Sequence, residues 1–586
     1  MALDPRYTVD ESKVWFKEES GWPQDVPKNM EFPKMTLGQM FDETVKNHAD
    51  DKIGWFLDST MTYGEMSRHI DALATAFHKH GFRKGDVMSL LLPNSFQYIM
   101  CYYACAKLGV IVSGVNPTYK PGEILHQLKT VNARGLVVLD ALYGTAVDPI
   151  LSKSGIEFLV HTNIADFLPP VKQFLGKLLK KIPTGNVPGH SVSLKALLKT
   201  PADVPEVHLD PEEDTATYIM TGGTTGVPKA AVLTHFNCVS NVLQSLEWLY
   251  KLQDGMCTVG ILPFFHSFAM TCVMNITVRA GGWIMIFPKP PGMDELCHRI
   301  ETLGVDNNTI YLGAEILFQR MAEYVEENPG KHPDLGGKLL HCISGAGPLH
   351  RPVQEAFERV TGAKLVEGFG LTESSPVCSA GPFYGKRKIG TIGLPFTGTE
   401  WKIMDTETGT KELPPGEENI GEICIAGPQV MKSYLNRDEE TAETIKKFPD
   451  GKLYLLTGDL GFMDEDGQIT IRDRKKQLIK YKGYSVFPKE VEELVGGHPM
   501  VSEVAVHGLP DPEANEIIKA WVVLKDENKG KITEDELLAW SKENMTHYKV
   551  PRHIEFIDEI PKTPVGKVLR RELAEADPIY KKYMNK

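Results

Sequence analysis

Between residues 86 and 112 the chain sets out the pattern that most restricts its fold. Asp86-Val87-Met88-Ser89-Leu90-Leu91-Leu92 is a short apolar run of strand composition, closed by Pro93-Asn94. Phe96 to Leu108 follows with helical character and is stopped by Gly109; Val110-Ile111-Val112 then reads as the next strand. Strands that alternate with helices in this way build a mostly parallel, doubly wound sheet with helices on both faces. Ligands of such sheets gather at the carboxyl ends of the strands. Much of the first half of the chain repeats the pattern, and the texture then changes twice. From about Arg387, glycine and proline become frequent and the apolar runs shorten, as in Glu422-Ile423-Cys424-Ile425-Ala426, which predicts a small β-rich unit. After Asp473-Arg474-Lys475-Lys476 the chain becomes a compact α+β segment to its end.

At 586 residues the sequence exceeds what one hydrophobic core can organise. Its net charge of −13 argues against a chain whose work is coating nucleic acid, while leaving room for local basic pockets. The nine cysteines are scattered without a Cys-x-x-Cys pair, so a zinc ribbon or a thioredoxin-like site is not expected. Cys101 and Cys105 lie among apolar residues at helical spacing and read as buried free thiols. The polar start, the reduced thiols and the lack of a bilayer-length apolar run give a cytoplasmic expectation. One segment qualifies it. Val171, Phe174, Leu175, Leu178, Leu179 and Ile182 recur every three or four residues with Lys172, Lys177, Lys180 and Lys181 between them. Such a basic amphipathic helix either lies on an anionic membrane as a peripheral contact or packs its apolar face on the core; packing is the commoner outcome.

The chemistry concentrates first in Thr221-Gly222-Gly223-Thr224-Thr225-Gly226-Val227-Pro228-Lys229. Glycines let the backbone approach a ligand closely, and successive N–H groups form a concavity for anions. The threonine hydroxyls and Lys229 add donors, which equips the stretch to hold a polyphosphate. It is not a Walker A loop, because Pro228 precedes Lys229 and the apolar Ala230-Ala231-Val232-Leu233 reads as a strand rather than a helix start. With Thr215 to Met220 of strand composition upstream, the loop joins two strands.

Further clusters carry matching equipment. Glu367-Gly368-Phe369-Gly370-Leu371-Thr372-Glu373 supplies an aromatic face for a purine, a hydroxyl and a hard-oxygen ligand suited to Mg²⁺. Thr457-Gly458-Asp459 places an acid on a turn, suited to the two hydroxyls of a ribose. Lys562-Thr563-Pro564-Val565-Gly566-Lys567 presents two lysines on a tight loop, and Leu262-Pro263-Phe264-Phe265-His266 ends an apolar stretch with an imidazole.

In these residues and in their order, from about Thr62-Tyr63 to Arg571, the chain resembles the adenylate-forming superfamily of acyl-CoA synthetases, luciferases and nonribosomal adenylation domains. Gly222 and the block Ile471 to Tyr484 are most similar to the long-chain fatty acid CoA ligase branch; Ala230 and Phe369 depart from the commonest residues of the superfamily. The resemblance implies a large adenylation domain over 1–475, with a β-barrel-like subdomain at about 387–474, and a small mobile C-terminal domain over 476–586 pivoting near Lys476. It implies ATP, Mg²⁺ and coenzyme A, and a carboxylic acid activated in two steps through an acyl-adenylate. Gly222, Gly223, Thr224, Thr225, Gly226 and Lys229 would grip the phosphates. Thr221 and Glu373 would hold Mg²⁺, and Thr372 would contact the α-phosphate. Gly345-Ala346-Gly347 and Glu367 with Gly368-Phe369-Gly370 would form the adenine slot; Asp459 and Arg474 would bind the ribose. Lys567 would bridge carboxylate and α-phosphate, His266 would orient the acid, and Gly483 and Tyr484 would line the pantetheine channel. A medium- or long-chain acid is the first expectation; an aryl or alicyclic acid, a carrier protein as acceptor, and a non-catalytic nucleotide sensor are the alternatives.

Overall fold

Strand and helix begin and end where local chemistry places them. The strand Val87–Leu91 is followed by the helix Phe96–Leu108, whose first turn is capped by the Ser95 hydroxyl accepting the Tyr98 N–H at 3.3 Å. Gly109 ends it in the left-handed conformation, φ 66°. The next strand is Ile111–Gly114, parallel to the first. The computed structural model describes residues 3–584 apart from 170, 174–175, 177–181, 222–227, 407–408, 483 and 563–567, with the backbone alone for Glu18, Lys476, Tyr484, Ser485 and Met584. The chain divides into two compact units, Met1–Glu400 with Ile425–Leu455, and Trp401–Cys424 with Leu456–Lys586.

The first unit is a mixed α/β body with two large sheets. One has eight strands, with Val87–Leu91, Ile111–Gly114 and Gly135–Leu139 parallel at its centre. Thr215–Thr221 joins it parallel to Ile111–Gly114 and turns back antiparallel through Lys229–Thr234. The other sheet has nine strands. In it Trp283–Ile286, Cys257–Gly260, Thr309–Gly313, Leu339–Ser344 and Lys364–Gly370 run parallel in that spatial order, so their carboxyl ends open on one side. The core strands are largely apolar, as sheets covered on both faces require. All nine cysteines are free and buried. Burial raises the Cys101 and Cys105 thiols above their ordinary value, so both pack as apolar groups rather than react.

The sheet of the β-rich stretch has the strands Glu400–Met404, Gly421–Ala426 and Leu453–Met463 in spatial order, with Ile469–Arg474 antiparallel to the last, and its residues 401–424 and 456–474 belong to the second unit. Beyond it, the long strands Val501–Asp511 and Asn515–Leu524 pair antiparallel, His553–Phe556 adds parallel, and the helices Pro488–Gly496, Glu534–Asn544 and Arg570–Ala576 belong to the same segment. The basic amphipathic segment 171–182 lies mostly outside the described residues; at its start Val171 is exposed and Lys172 pairs with Asp58 at 3.1 Å. Among the described residues no helix is long and apolar enough to cross a membrane.

Candidate active site

The loop expected to join two strands does so: Thr215–Thr221 and Lys229–Thr234 pair antiparallel, with Thr221 opposite Lys229. Gly222, Gly223, Thr224, Thr225, Gly226 and Val227 lie outside the described residues, and the two ends of the loop show what surrounds it. The Thr221 hydroxyl donates to Glu373 Oε1 at 3.3 Å. The Tyr434 hydroxyl donates to the same oxygen at 2.7 Å. Burial and the adjacent Glu373 push the Tyr434 phenol far up, so it stays a protonated donor. Lys229 pairs with Glu440 and stands 4.4 Å above the centre of the Tyr434 ring, in cation–π range.

A pocket opens beside these residues, within the first unit. Its polar side is backbone and hydroxyl. Gly345 and Ala346 follow the strand Leu339–Ser344, and Gly368, Phe369 and Gly370 end the neighbouring parallel strand. Close approach requires glycine at two of these positions: a Cβ on Gly345 would stand 2.9 Å from the Phe268 ring, and one on Gly370 2.2 Å from the Pro376 carbonyl oxygen. Ala346 is held at φ +68°, a left-handed conformation costly for alanine. Gly347 and Glu367 adjoin these positions in the chain but are not among the lining residues. Thr372 lines the pocket with its hydroxyl 3.4 Å from that of Ser267. His266, also in the lining, accepts the Phe268 N–H on Nδ1 at 3.2 Å. The rest of the pocket is apolar. Trp248, at the end of the helix His235–Trp248, stacks on Phe396 with ring centres 5.2 Å apart, and Ile276, Ile343 and Val377 add aliphatic walls.

The second unit gathers a different set of charges. Asp459 is only 2% exposed, and its Oδ1 takes the Arg474 Nε at 2.9 Å across the antiparallel pair that sets the two residues opposite each other. The acid expected on a turn stands inside the strand Leu453–Met463. The turn-like signal came from Gly458, whose φ of 73° is accommodated within the strand while its N–H donates to Glu422 Oε1 at 3.1 Å. Next to Arg474, Asp473 accepts the Arg474 N–H at 2.7 Å and the Lys489 N–H at 2.8 Å, the latter from the first turn of Pro488–Gly496. Burial raises its carboxyl to about 6. Arg570 grips Glu492 with two nitrogens, at 2.6 and 2.5 Å. Lys567, Gly483 and the side chains of Lys476 and Tyr484 lie outside the described residues. Lys562 pairs with Glu503 at 2.5 Å.

The profile of the AMP-binding enzyme family matches residues 41–435, and that of the AMP-binding enzyme C-terminal domain matches 490–567. The chain belongs to the AMP-binding enzyme family. It is 36% identical to a long-chain-fatty-acid–CoA ligase of Bacillus subtilis, over 97% of this chain and 99% of that protein. It is 34% identical to a probable 4-coumarate–CoA ligase of Dictyostelium discoideum, over 94% of this chain and 97% of that one. The ATP-bound crystal structure of MatB from Rhodopseudomonas palustris superposes with a TM-score of 0.78 at 26% identity, covering 93% of this chain and all of that one. Family membership brings ATP as nucleotide and Mg²⁺ as the usual companion ion, and the donor set fits that ion. Glu373 and Thr221 offer hard oxygens side by side, and Mg²⁺ needs only one or two protein ligands when phosphates supply the others. Among the described residues no cluster of three or more His, Cys, Asp or Glu is placed to hold a metal by itself.

Several residues of this AMP-binding enzyme's site escaped the sequence reading. Tyr434 and Glu440 lie more than 200 residues beyond the phosphate loop and reach it because Ser433–Tyr434 pairs antiparallel with Ala231 and Val232. The acidic run Asp438-Glu439-Glu440 reads as an ordinary helix start, which it also is. Trp248, Phe268 and Phe396 look like core aromatics, and only the topology shows that they face a pocket.

Proposed function

We propose that the chain is an AMP-forming acyl-CoA synthetase for a medium- or long-chain carboxylic acid. The observation that carries this reading is the continuity of one pocket, in which the Gly345 and Phe369 surfaces suited to a nucleotide run directly into apolar walls suited to an acyl group. An acyl-adenylate has both parts joined in one molecule. In the first step a carboxylate oxygen attacks the α-phosphorus, the bond to the bridging oxygen breaks, and pyrophosphate leaves. The reacting anions repel by about 1 kcal/mol at contact in water and several-fold more in a low-dielectric cleft. The donors assigned to that charge are the phosphate loop from Gly222 to Gly226 with Lys229 and the Thr372 hydroxyl, with His266 orienting the acid. Thr221 and Glu373 would hold Mg²⁺, which would add positive charge on the phosphates. Glu367 and Gly347 support the adenine slot from behind, while Asp459 and Arg474 take the ribose hydroxyls. Lys567 touches both carboxylate and α-phosphate, where the transition state differs most from the ground state. In the second step the CoA thiol, entering past Gly483 and Tyr484 after a swing at Lys476, attacks the acyl carbonyl, loses its proton and expels AMP.

The chain length follows from the Bacillus subtilis relative's name together with the aliphatic walls. The aromatic residues Trp248, Phe268 and Phe396 and the Dictyostelium relative favour an aryl acid as the second reading. Pyrophosphate release and CoA consumption across straight-chain, alicyclic and cinnamic-type acids separate the two: highest kcat/KM on medium- or long-chain straight-chain acids supports the first. Lys567→Ala is expected to lower adenylation by about 100-fold or more while thioester formation from supplied acyl-adenylate persists. Equal loss of both half-reactions removes Lys567 from its role.

A further inference from the structure

Glu373 is gripped twice by one short segment, Met431 to Tyr434. The Met431 N–H donates to the Glu373 backbone carbonyl at 2.8 Å, and three residues later the Tyr434 hydroxyl donates to its side chain at 2.7 Å. The segment is itself fastened to the strand leaving the phosphate loop. The Lys432 N–H reaches Val232 O at 3.0 Å and the Leu435 N–H reaches Ala230 O at 2.9 Å. Tyr434 is 6% exposed, so its ring cannot swing away. One face of that ring carries the Lys229 ammonium. A single side chain therefore touches the carboxylate assigned to the cation and the lysine assigned to the phosphates.

The geometry at Glu373 is selective. Thr221 and Tyr434 both donate to Oε1, which leaves Oε2 as the oxygen their hydrogen bonds do not use. Two donors on one oxygen fix the plane of the carboxylate. A glutamate side chain otherwise keeps rotamer freedom that ligand binding must freeze. Neutral hydroxyls also fix it without cancelling its charge, as a lysine or arginine in the same place would.

We propose that Tyr434 is a positioning residue: its hydroxyl aims the Glu373 carboxylate at the cation that accompanies ATP, and its ring sets the Lys229 ammonium over the phosphates. The inference rests on the assignment of Glu373 and Lys229 made above. Tyr434→Phe removes the hydroxyl and keeps the ring; Tyr434→Leu removes both.

The test is calorimetric binding of ATP to the full-length protein, in EDTA and in excess Mg²⁺, alongside the Mg²⁺ dependence of pyrophosphate release. Tyr434→Phe is expected to bind metal-free ATP as the wild type does, to lose about tenfold of the tightening that Mg²⁺ adds, and to need correspondingly more Mg²⁺ for half-maximal rate. Tyr434→Leu is expected to weaken metal-free ATP binding as well, by about three- to fivefold. Glu373→Gln loses the Mg²⁺ increment, and adding Tyr434→Phe to it has little further effect, because the two groups act as one unit. A Tyr434→Phe variant with the full Mg²⁺ increment, or one that weakens ATP equally with and without the ion, overturns the proposal while leaving the Glu373 assignment intact. Retention of the increment in Glu373→Gln overturns that assignment and the proposal with it.

Discussion

Glu373 in the first unit and Asp459 in the second are both carboxylates at candidate ligand positions, and their surroundings are opposite in kind. Glu373 receives two neutral hydroxyls, from Thr221 and Tyr434. Asp459 is nearly buried against the Arg474 guanidinium. Hydroxyls orient a carboxylate and leave its charge available to a cation; a guanidinium offsets the charge and leaves an acceptor suited to neutral donors. Under the proposed function the same functional group would serve two tasks, a divalent ion in one case and sugar hydroxyls in the other. The difference is set by the partner each strand brings alongside rather than by the acid itself.

The largest expected effect comes from removing the available charge. Glu373→Gln keeps the size and an oxygen to accept from Tyr434 but cannot serve a cation as a carboxylate does. Adenylation measured by pyrophosphate release should fall by about 10²- to 10³-fold, with metal-free ATP binding changed little. Asp459→Asn tests the other half. It should raise the KM for ATP by about 10- to 100-fold, the worth of a charge-assisted hydrogen bond, and shrink the preference for ATP over its 2′,3′-dideoxy analogue. The kcat of adenylation should move far less. If both variants lose kcat alike, or both lose ATP affinity alike, the division of tasks between the two acids fails.

Residues assigned to ligands through their own short motif were legible in the sequence, and residues assigned through the fold were not. Thr221, Lys229, Phe369 and Thr372 stand in glycine-rich runs whose composition is abnormal for a core, so they could be singled out. The strand–helix–strand run near residue 100 was equally legible, because Ser95 and Gly109 mark the helix ends chemically. Tyr434 carries no such mark: a tyrosine followed by leucine and asparagine is ordinary, and its significance comes from pairing with a strand some 200 residues away. Trp248 and Phe396 are hidden for a related reason, since a pocket wall and a core have the same composition and only packing distinguishes them. Asp459 was legible as an acid beside a glycine, but its place inside a strand was not, because a left-handed glycine more often marks a turn than an interruption in a strand.

Asp473 is the intermediate case and gives the subtlest prediction. It has neither hydroxyls nor a guanidinium in contact but two backbone N–H groups, from Arg474 and Lys489. Arg570 and Glu492 face it with opposite charges, and Arg570 is already engaged by Glu492. Burial therefore dominates and raises its carboxyl from 3.8 to about 6. The folded chain holds this proton more tightly than the unfolded chain does. The resulting stabilisation is complete below the unfolded value and is lost as the pH rises through about 6, a change on the order of 2–3 kcal/mol. Asp473→Asn has no proton to lose, although its amide serves one of the two N–H groups less well and costs a constant amount at every pH. The stability difference between wild type and variant, from denaturant midpoints, should therefore shift in favour of the variant between about pH 4 and 7 and level off above that. A difference independent of pH would mean that the two N–H groups offset the cost of burial and hold Asp473 ionised as readily as in the unfolded chain.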